Sequence, residues 1–256
     1  VKFPLSLVLV SLVLSLSGLA QKPLKTLPWG SYTVRIEGSP GGGQVARILA
    51  GGRTAVEIEG WLLSASFVEV TGKAPRELLV TDFSGGAHCC LTLYLFSQEG
   101  ELRNLLYEEL GDGVFELRDL DGDGRSEPVL TRIYSYFGDL PFALSPGVVR
   151  VYAYDGMVFY EATRRFPRLS LREMERYRKG FLEGKKRGDL EAMKGNALGY
   201  WANALVIGRG AAAKDWLMRN APFEVRKWLL VNEEALLRSV SAFDLSTNRK
   251  LPPEKP

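Results

Sequence analysis

The sequence predicts an α+β protein. An antiparallel β-rich half of propeller-blade-like repeats, packed as an incomplete propeller or a sandwich, precedes a four-helix C-terminal half. Three observations predict it. Short alternating apolar and polar runs, punctuated by glycine and proline, fill residues 29–163. A strand–loop–strand pattern recurs among them at an offset of about 50 residues. From residue 166 onward the apolar period becomes that of helices, with cap residues at its breaks.

The start of the 256-residue chain has its own pattern. Lys2 precedes an apolar run from Leu5 to Leu16 broken only by serine, and Gly18-Leu19-Ala20 ends in small residues. This predicts a secretory signal over residues 1–20 with cleavage after Ala20. A membrane anchor would need about 20 apolar residues. No cysteine follows the run, which excludes lipid attachment there. No second long apolar run exists, so the expectation is a periplasmic or secreted protein with no membrane span after signal removal. A hydrophobic content of 46% with 25% charged residues excludes global disorder.

Charge is divided unevenly. Residues 21–163 hold 12 Lys and Arg against 19 Asp and Glu, whereas residues 164–256 hold 20 against 11. An acidic half attracting a basic half is the simplest consequence. The basic half facing an anionic envelope surface or cell-wall polymer is the other. An export signal speaks against nucleic acid as partner.

In the β half (residues 21–165), Thr33 to Glu37, Gln44 to Ala50 and Thr54 to Glu59 read as short strands separated by glycines. A phosphate cradle at Pro40-Gly41-Gly42-Gly43 would need a helix start after it, and none is predicted. Glu77-Leu78-Leu79-Val80-Thr81 matches Glu127-Pro128-Val129-Leu130-Thr131, and each copy continues into a further strand pair. Two units, or two and a half with the N-terminal strands, cannot close a ring that needs four to eight blades. Something must cover the open edges, and the helical half is the candidate.

Between the strands of the second copy lies Asp119-Leu120-Asp121-Gly122-Asp123-Gly124-Arg125-Ser126-Glu127. Carboxylates this dense repel one another without a cation. Calcium prefers six to eight hard oxygens, supplied here by Asp119, Asp121 and Asp123 at loop positions 1, 3 and 5, the Arg125 carbonyl at 7, and Glu127 at 9. A calcium helix–loop–helix would place Glu at position 12, where Leu130 stands, and the flanks are strand-like. The competing reading is a solvated hairpin turn, which requires neither the third Asp nor Glu127. The loop and its flanks resemble the calcium loop of FG-GAP-type repeats, the β-propeller units of integrin α-chain heads. That resemblance implies side-chain ligation by Asp119, Asp121, Asp123 and Glu127, with calcium as the cofactor. Extracellular modules hold calcium with dissociation constants of about 0.1 to 1 mM.

Ser84-Gly85-Gly86-Ala87-His88-Cys89-Cys90 holds the only histidine and both cysteines. Three readings stand open. Cys89 and Cys90 pair as a disulfide, which an oxidising compartment favours and close α-carbons resist. Alternatively they start a strand and pack as small core residues. Thirdly, His88 with the thiols forms a metal, redox or hydrolytic site, with Asp82, Ser84 and His88 supplying triad residue types in too short a span. The stretch is also similar to one in uncharacterised exported bacterial proteins, a resemblance that implies no activity. Between Tyr134 and Gly147 several aromatics sit on a loop that either grips a sugar or peptide or plugs the sheet end.

In the helical half (residues 166–245), Ser170-Leu171-Arg172-Glu173 reads as a capping box. Gly188-Asp189 stops one helix and caps the next, Gly195 and Gly199 permit close approach of a neighbour, and Pro222 opens a fourth helix. Trp201, Trp216 and Trp228 read as core rather than a ligand groove. Residues 246–256 are polar and proline-rich and read as a disordered tail. The functional expectation is an exported binding or structural protein with a calcium-stabilised β-repeat domain and an unknown protein or envelope polymer as partner. The enzymatic alternative is a hydrolase or thiol-redox protein centred on His88, Cys89 and Cys90.

Overall fold

The computed structural model describes residues 23–86 and 90–244. The expected signal over residues 1–20, the expected tail over 246–256, and His88 and Cys89 lie outside the described residues.

Among the described residues the β half forms three four-stranded antiparallel sheets, each taking its strands in chain order. The first holds β1 (Lys25–Trp29), β2 (Tyr32–Gly38), β3 (Gln44–Ala50) and β4 (Arg53–Gly60). The second holds β5 (Leu63–Val68), β6 (Glu77–Phe83), β7 (Leu91–Ser97) and β8 (Arg103–Gly111). The third holds β9 (Val114–Arg118), β10 (Glu127–Ile133), β11 (Gly147–Tyr154) and β12 (Phe159–Glu161). Helices α1 (Pro167–Arg187), α2 (Leu190–Val206), α3 (Gly210–Asn220) and α4 (Phe223–Asp244) follow. The α+β class, β-rich first and helical second, is therefore as the sequence predicts.

The first sheet is a complete four-stranded unit, not the half unit expected. The missed strand is β1, which carries Pro28 and little alternation. Proline is tolerated there because β1 is an edge strand.

Side-chain alternation stacks the layers. In β6, Leu78 and Val80 pack with Val34, Ile36 and Ile48 of the first sheet, while Leu79 turns to Leu130 and Tyr152 of the third. A strand buried on both faces reads as an unbroken apolar run, which is what Leu78-Leu79-Val80 is. The far face of the third sheet, through Val129, Val149 and Val151, receives Leu169 of α1. Phe181, Leu198, Trp201, Leu217, Val225 and Leu229 then form the core of the helical half. Among the described residues no apolar cluster joins the first sheet to the third or to the helices, so the stack does not close.

The helical half covers a sheet edge. Strand β12 pairs with β11 only at Tyr152 to Tyr154. Further along, side chains replace the missing strand. Asn203 of α2 accepts from Val149 N and donates to Gly147 O, and the Tyr177 hydroxyl of α1 accepts from Gly147 N at 2.6 Å. Thr163 Oγ1 accepts from Val151 N at 3.0 Å. Each bond satisfies a backbone group that burial would otherwise leave unpaired.

Helix ends follow the sequence with one correction. Gly188 ends α1 and the Asp189 carboxylate accepts from Ala192 N at 3.0 Å, capping α2. The expected capping box does not open α1. The helix begins at Pro167, whose ring presets the first-turn dihedral, and Ser170 is buried inside it. A Cβ on Gly199 would lie 2.7 Å from the Tyr177 ring. The bare glycine lets α1 approach α2 closely enough for Tyr177 and Asn203 to reach the same residue of β11.

Opposite charge plays a small part where the halves meet. Arg165 pairs with Asp121 at 3.0 Å and Lys194 with Asp139 at 3.3 Å, both partly exposed. Such pairs contribute about 0 to 1 kcal/mol each, so the apolar contacts dominate. The aromatic loop packs inward for the most part. Tyr134 and Leu140 are buried in the helical core and Phe137 meets Trp228 edge-on at 6.4 Å. Tyr136 alone points out, at a positive φ of 56°. Trp201 is core, as read from the sequence.

Candidate metal centre

The loop between β9 and β10 is folded by its own first residue. Asp119 accepts from Gly122 N at 2.7 Å through one oxygen and from Gly124 N at 3.0 Å through the other. Gly122 and Gly124 have φ of 81° and 84°. The sequence places glycine where this curl needs a left-handed backbone. The next strand then begins at Glu127, opposite Arg118.

This curl brings Asp119, Asp121 and Glu127 together, with one carboxylate oxygen of each within 4.8 Å of the others. Calcium–oxygen bonds of 2.3 to 2.6 Å allow ligand oxygens to stand up to about 5 Å apart, so the three fit around one ion. Glu127 is only 7% exposed and accepts from Leu120 N at 2.8 Å. Burial pushes its carboxyl above the usual range, opposed by the Leu120 hydrogen bond, and the charges of Asp121, Asp123 and Asp119 raise it further. A hard cation among these oxygens would reverse that electrostatic balance.

One carboxylate of the expected ligand set, Asp123, stands apart from this group. Asp123 turns to Arg125, accepting from its backbone N at 2.9 Å and from Nε at 2.8 Å. That guanidinium holds the Asp123 carboxyl below the usual carboxylate range. Arg125, expected to offer its carbonyl, thus places its side chain on Asp123. A residue the sequence reading missed, Arg165 just before α1, reaches Asp121 Oδ2 at 3.0 Å. It lies 44 residues away, so no spacing rule could have found it.

The second sheet has a loop at the same place. Glu77 pairs opposite Val68 as Glu127 pairs opposite Arg118. There the buried carboxylate accepts from Val70 N at 3.1 Å, Thr71 N at 3.3 Å and Thr71 Oγ1 at 2.6 Å. A hydroxyl and two amides do the work that a cation would do in the acidic loop. The two loops touch, with Ser126 N donating to Glu69 O at 2.9 Å.

The Gly-Gly stretch closes a loop between β6 and β7. Ser84 Oγ accepts from Cys90 N at 2.7 Å, and Ser84 N donates to Cys90 O at 3.1 Å. Asp82 accepts from Trp61 N at 2.8 Å and Leu62 N at 3.1 Å. Both triad residue types are thus engaged in turns, while His88 lies outside the described residues. Cys90 is disulfide-bonded, and the sequence holds one other cysteine, Cys89. Comparison with family models, with curated proteins and with solved structures finds no match to this chain.

Proposed function

We propose that this chain is an exported binding or structural module whose three sheets are blade-type repeats, the third stabilised by one calcium ion. The observation that carries this reading is the convergence of Asp119, Asp121 and Glu127 around a common centre. The resemblance of the acidic loop to FG-GAP-type calcium loops supports it, as does the polar substitute for a cation in the neighbouring loop. The ion would be held by those three carboxylates, and its role is to neutralise an acidic bend anchored on the buried Glu127, not to activate water. A partner, protein or envelope polymer, would bind elsewhere on the sheets or helices.

Thermal unfolding in calcium and in chelator tests the reading. With about 1 mM calcium and a dissociation constant of about 0.1 mM, linkage adds roughly 1.4 kcal/mol. The melting temperature therefore rises in the wild type and does not in Asp121→Ala. Identical melting of the wild type in calcium and chelator removes the ion from the account.

A further inference from the structure

The first turns of α4 expose apolar side chains that the fold does not use. Phe223 is 66% exposed, Leu230 52% and Val231 74%. With Met218 of α3, Arg226 and Lys227 they line a shallow groove of about 630 Å³. Phe223, Lys227 and Val231 follow one another at i, i+4 and i+8, so they form one stripe, with Arg226 and Leu230 beside it. The opposite face of the helix, Val225, Leu229 and Leu236, is buried in the helical core.

We propose that this stripe docks the protein on an anionic lipid bilayer surface. The cation inside the stripe decides between occupants. Lysine is depleted from the cores of protein interfaces, and covering Lys227 with protein between Phe223 and Val231 would leave a buried charge to be matched. At a bilayer, the stems of Lys227 and Arg226 lie along the apolar layer while their charges rise to the headgroups. A second copy on the same face would set these cations against their own twins. Lys227 forms no ion pair among the described residues. The Arg226 guanidinium donates to the Met218 carbonyl at 3.4 Å and keeps its charge. Of the glutamates on this helix, Glu233 is paired with Lys214 of α3 and Glu234 with Arg238 at 3.5 Å, and Glu224 lies on the flank of the stripe.

The whole-chain charge acts in the same sense. The helical half carries the cationic excess and the β half the anionic one, so a negative surface draws in the end that bears α4. Insertion is shallow, because no helix among the described residues is long and apolar enough to cross a membrane. The inference is independent of calcium.

Sedimentation with vesicles tests it, using the chain from Gln21 onward, which retains every described element. Vesicles of phosphatidylglycerol with phosphatidylcholine should bind the protein about tenfold more tightly than phosphatidylcholine alone, and less so at high salt. Lys227→Glu and the pair Leu230→Glu with Val231→Glu should each weaken binding about tenfold, with an unchanged circular dichroism spectrum. Should the paired variant misfold, Lys227→Glu at its exposed site carries the test alone. Absence of binding to anionic vesicles overturns the proposal, as does binding indifferent to Lys227→Glu. A wild-type dimer in size-exclusion chromatography that Lys227→Glu dissociates overturns it in favour of a second copy.

Discussion

The Asn203 side chain accepts the Val149 N–H at 3.1 Å and returns a hydrogen bond to the Gly147 carbonyl at 2.9 Å. One amide thus presents to β11 the donor and acceptor that another strand would have offered. It does so at a fully buried position, where an unmatched backbone group costs about 1 to 3 kcal/mol. Asn203→Leu, similar in size but without polar atoms, is therefore expected to destabilise the protein by about 3 kcal/mol. Urea unfolding measures this, and a loss below about 1 kcal/mol would show that the edge finds other partners.

Gly199 permits that arrangement by letting Tyr177 lie against α2. Gly199→Ala pushes a methyl into the Tyr177 ring and is expected to cost about 1 to 3 kcal/mol. The same substitution made on a Tyr177→Ala background should cost clearly less, since the clash has gone. Equal costs in both backgrounds would mean that the ring is not the obstacle.

Were a cation held as proposed, Arg165 would compete with it for Asp121. Removing the guanidinium with Arg165→Ala is expected to tighten calcium binding a few-fold, as suits an exposed pair of modest strength. Asp123→Asn, by contrast, disturbs mainly the Arg125 pair and should leave the calcium-dependent melting shift in place. Titration calorimetry on the two variants reads both. Loss of calcium binding in Asp123→Asn would return that carboxylate to the ligand set.

Asp139 supplies a pH dependence away from the acidic loop. Its carboxylate accepts from the Trp228 indole N–H and pairs with Lys194, and these hold its pKa below the usual carboxylate range. A depressed folded-state pKa gives stability that is present above the unfolded value near 4 and lost as pH falls through the folded one. Asp139→Asn keeps an acceptor for the indole and loses the charge. Its melting temperature should fall less than the wild type's between about pH 6 and pH 3. Parallel curves would show that the carboxylate charge adds nothing.

Much of the fold was legible because the signals are local. The unbroken apolar run Leu78-Leu79-Val80, the Gly188-Asp189 break and Pro222 each act within a few residues of themselves. Pro28 erases the alternation that would mark β1, and Ser170 imitates a cap one turn inside the true start of α1. In the acidic loop, spacing put Asp119, Asp121 and Glu127 in one group. It could not show that Asp123 would find a nearer cation in the side chain of Arg125.

The sequence by itself determined the α+β order, the carboxylate-rich bend with its glycines, and the uneven charge. Period, turn chemistry and composition depend only on neighbouring residues. Tertiary structure alone decided that Arg165 would meet Asp121, that Asn203 and Tyr177 would stand in for a strand beside β11, and that Phe223, Leu230 and Val231 would remain uncovered. Those outcomes depend on how three sheets and four helices stack, and a chain written in one dimension does not carry the distances between its distant parts.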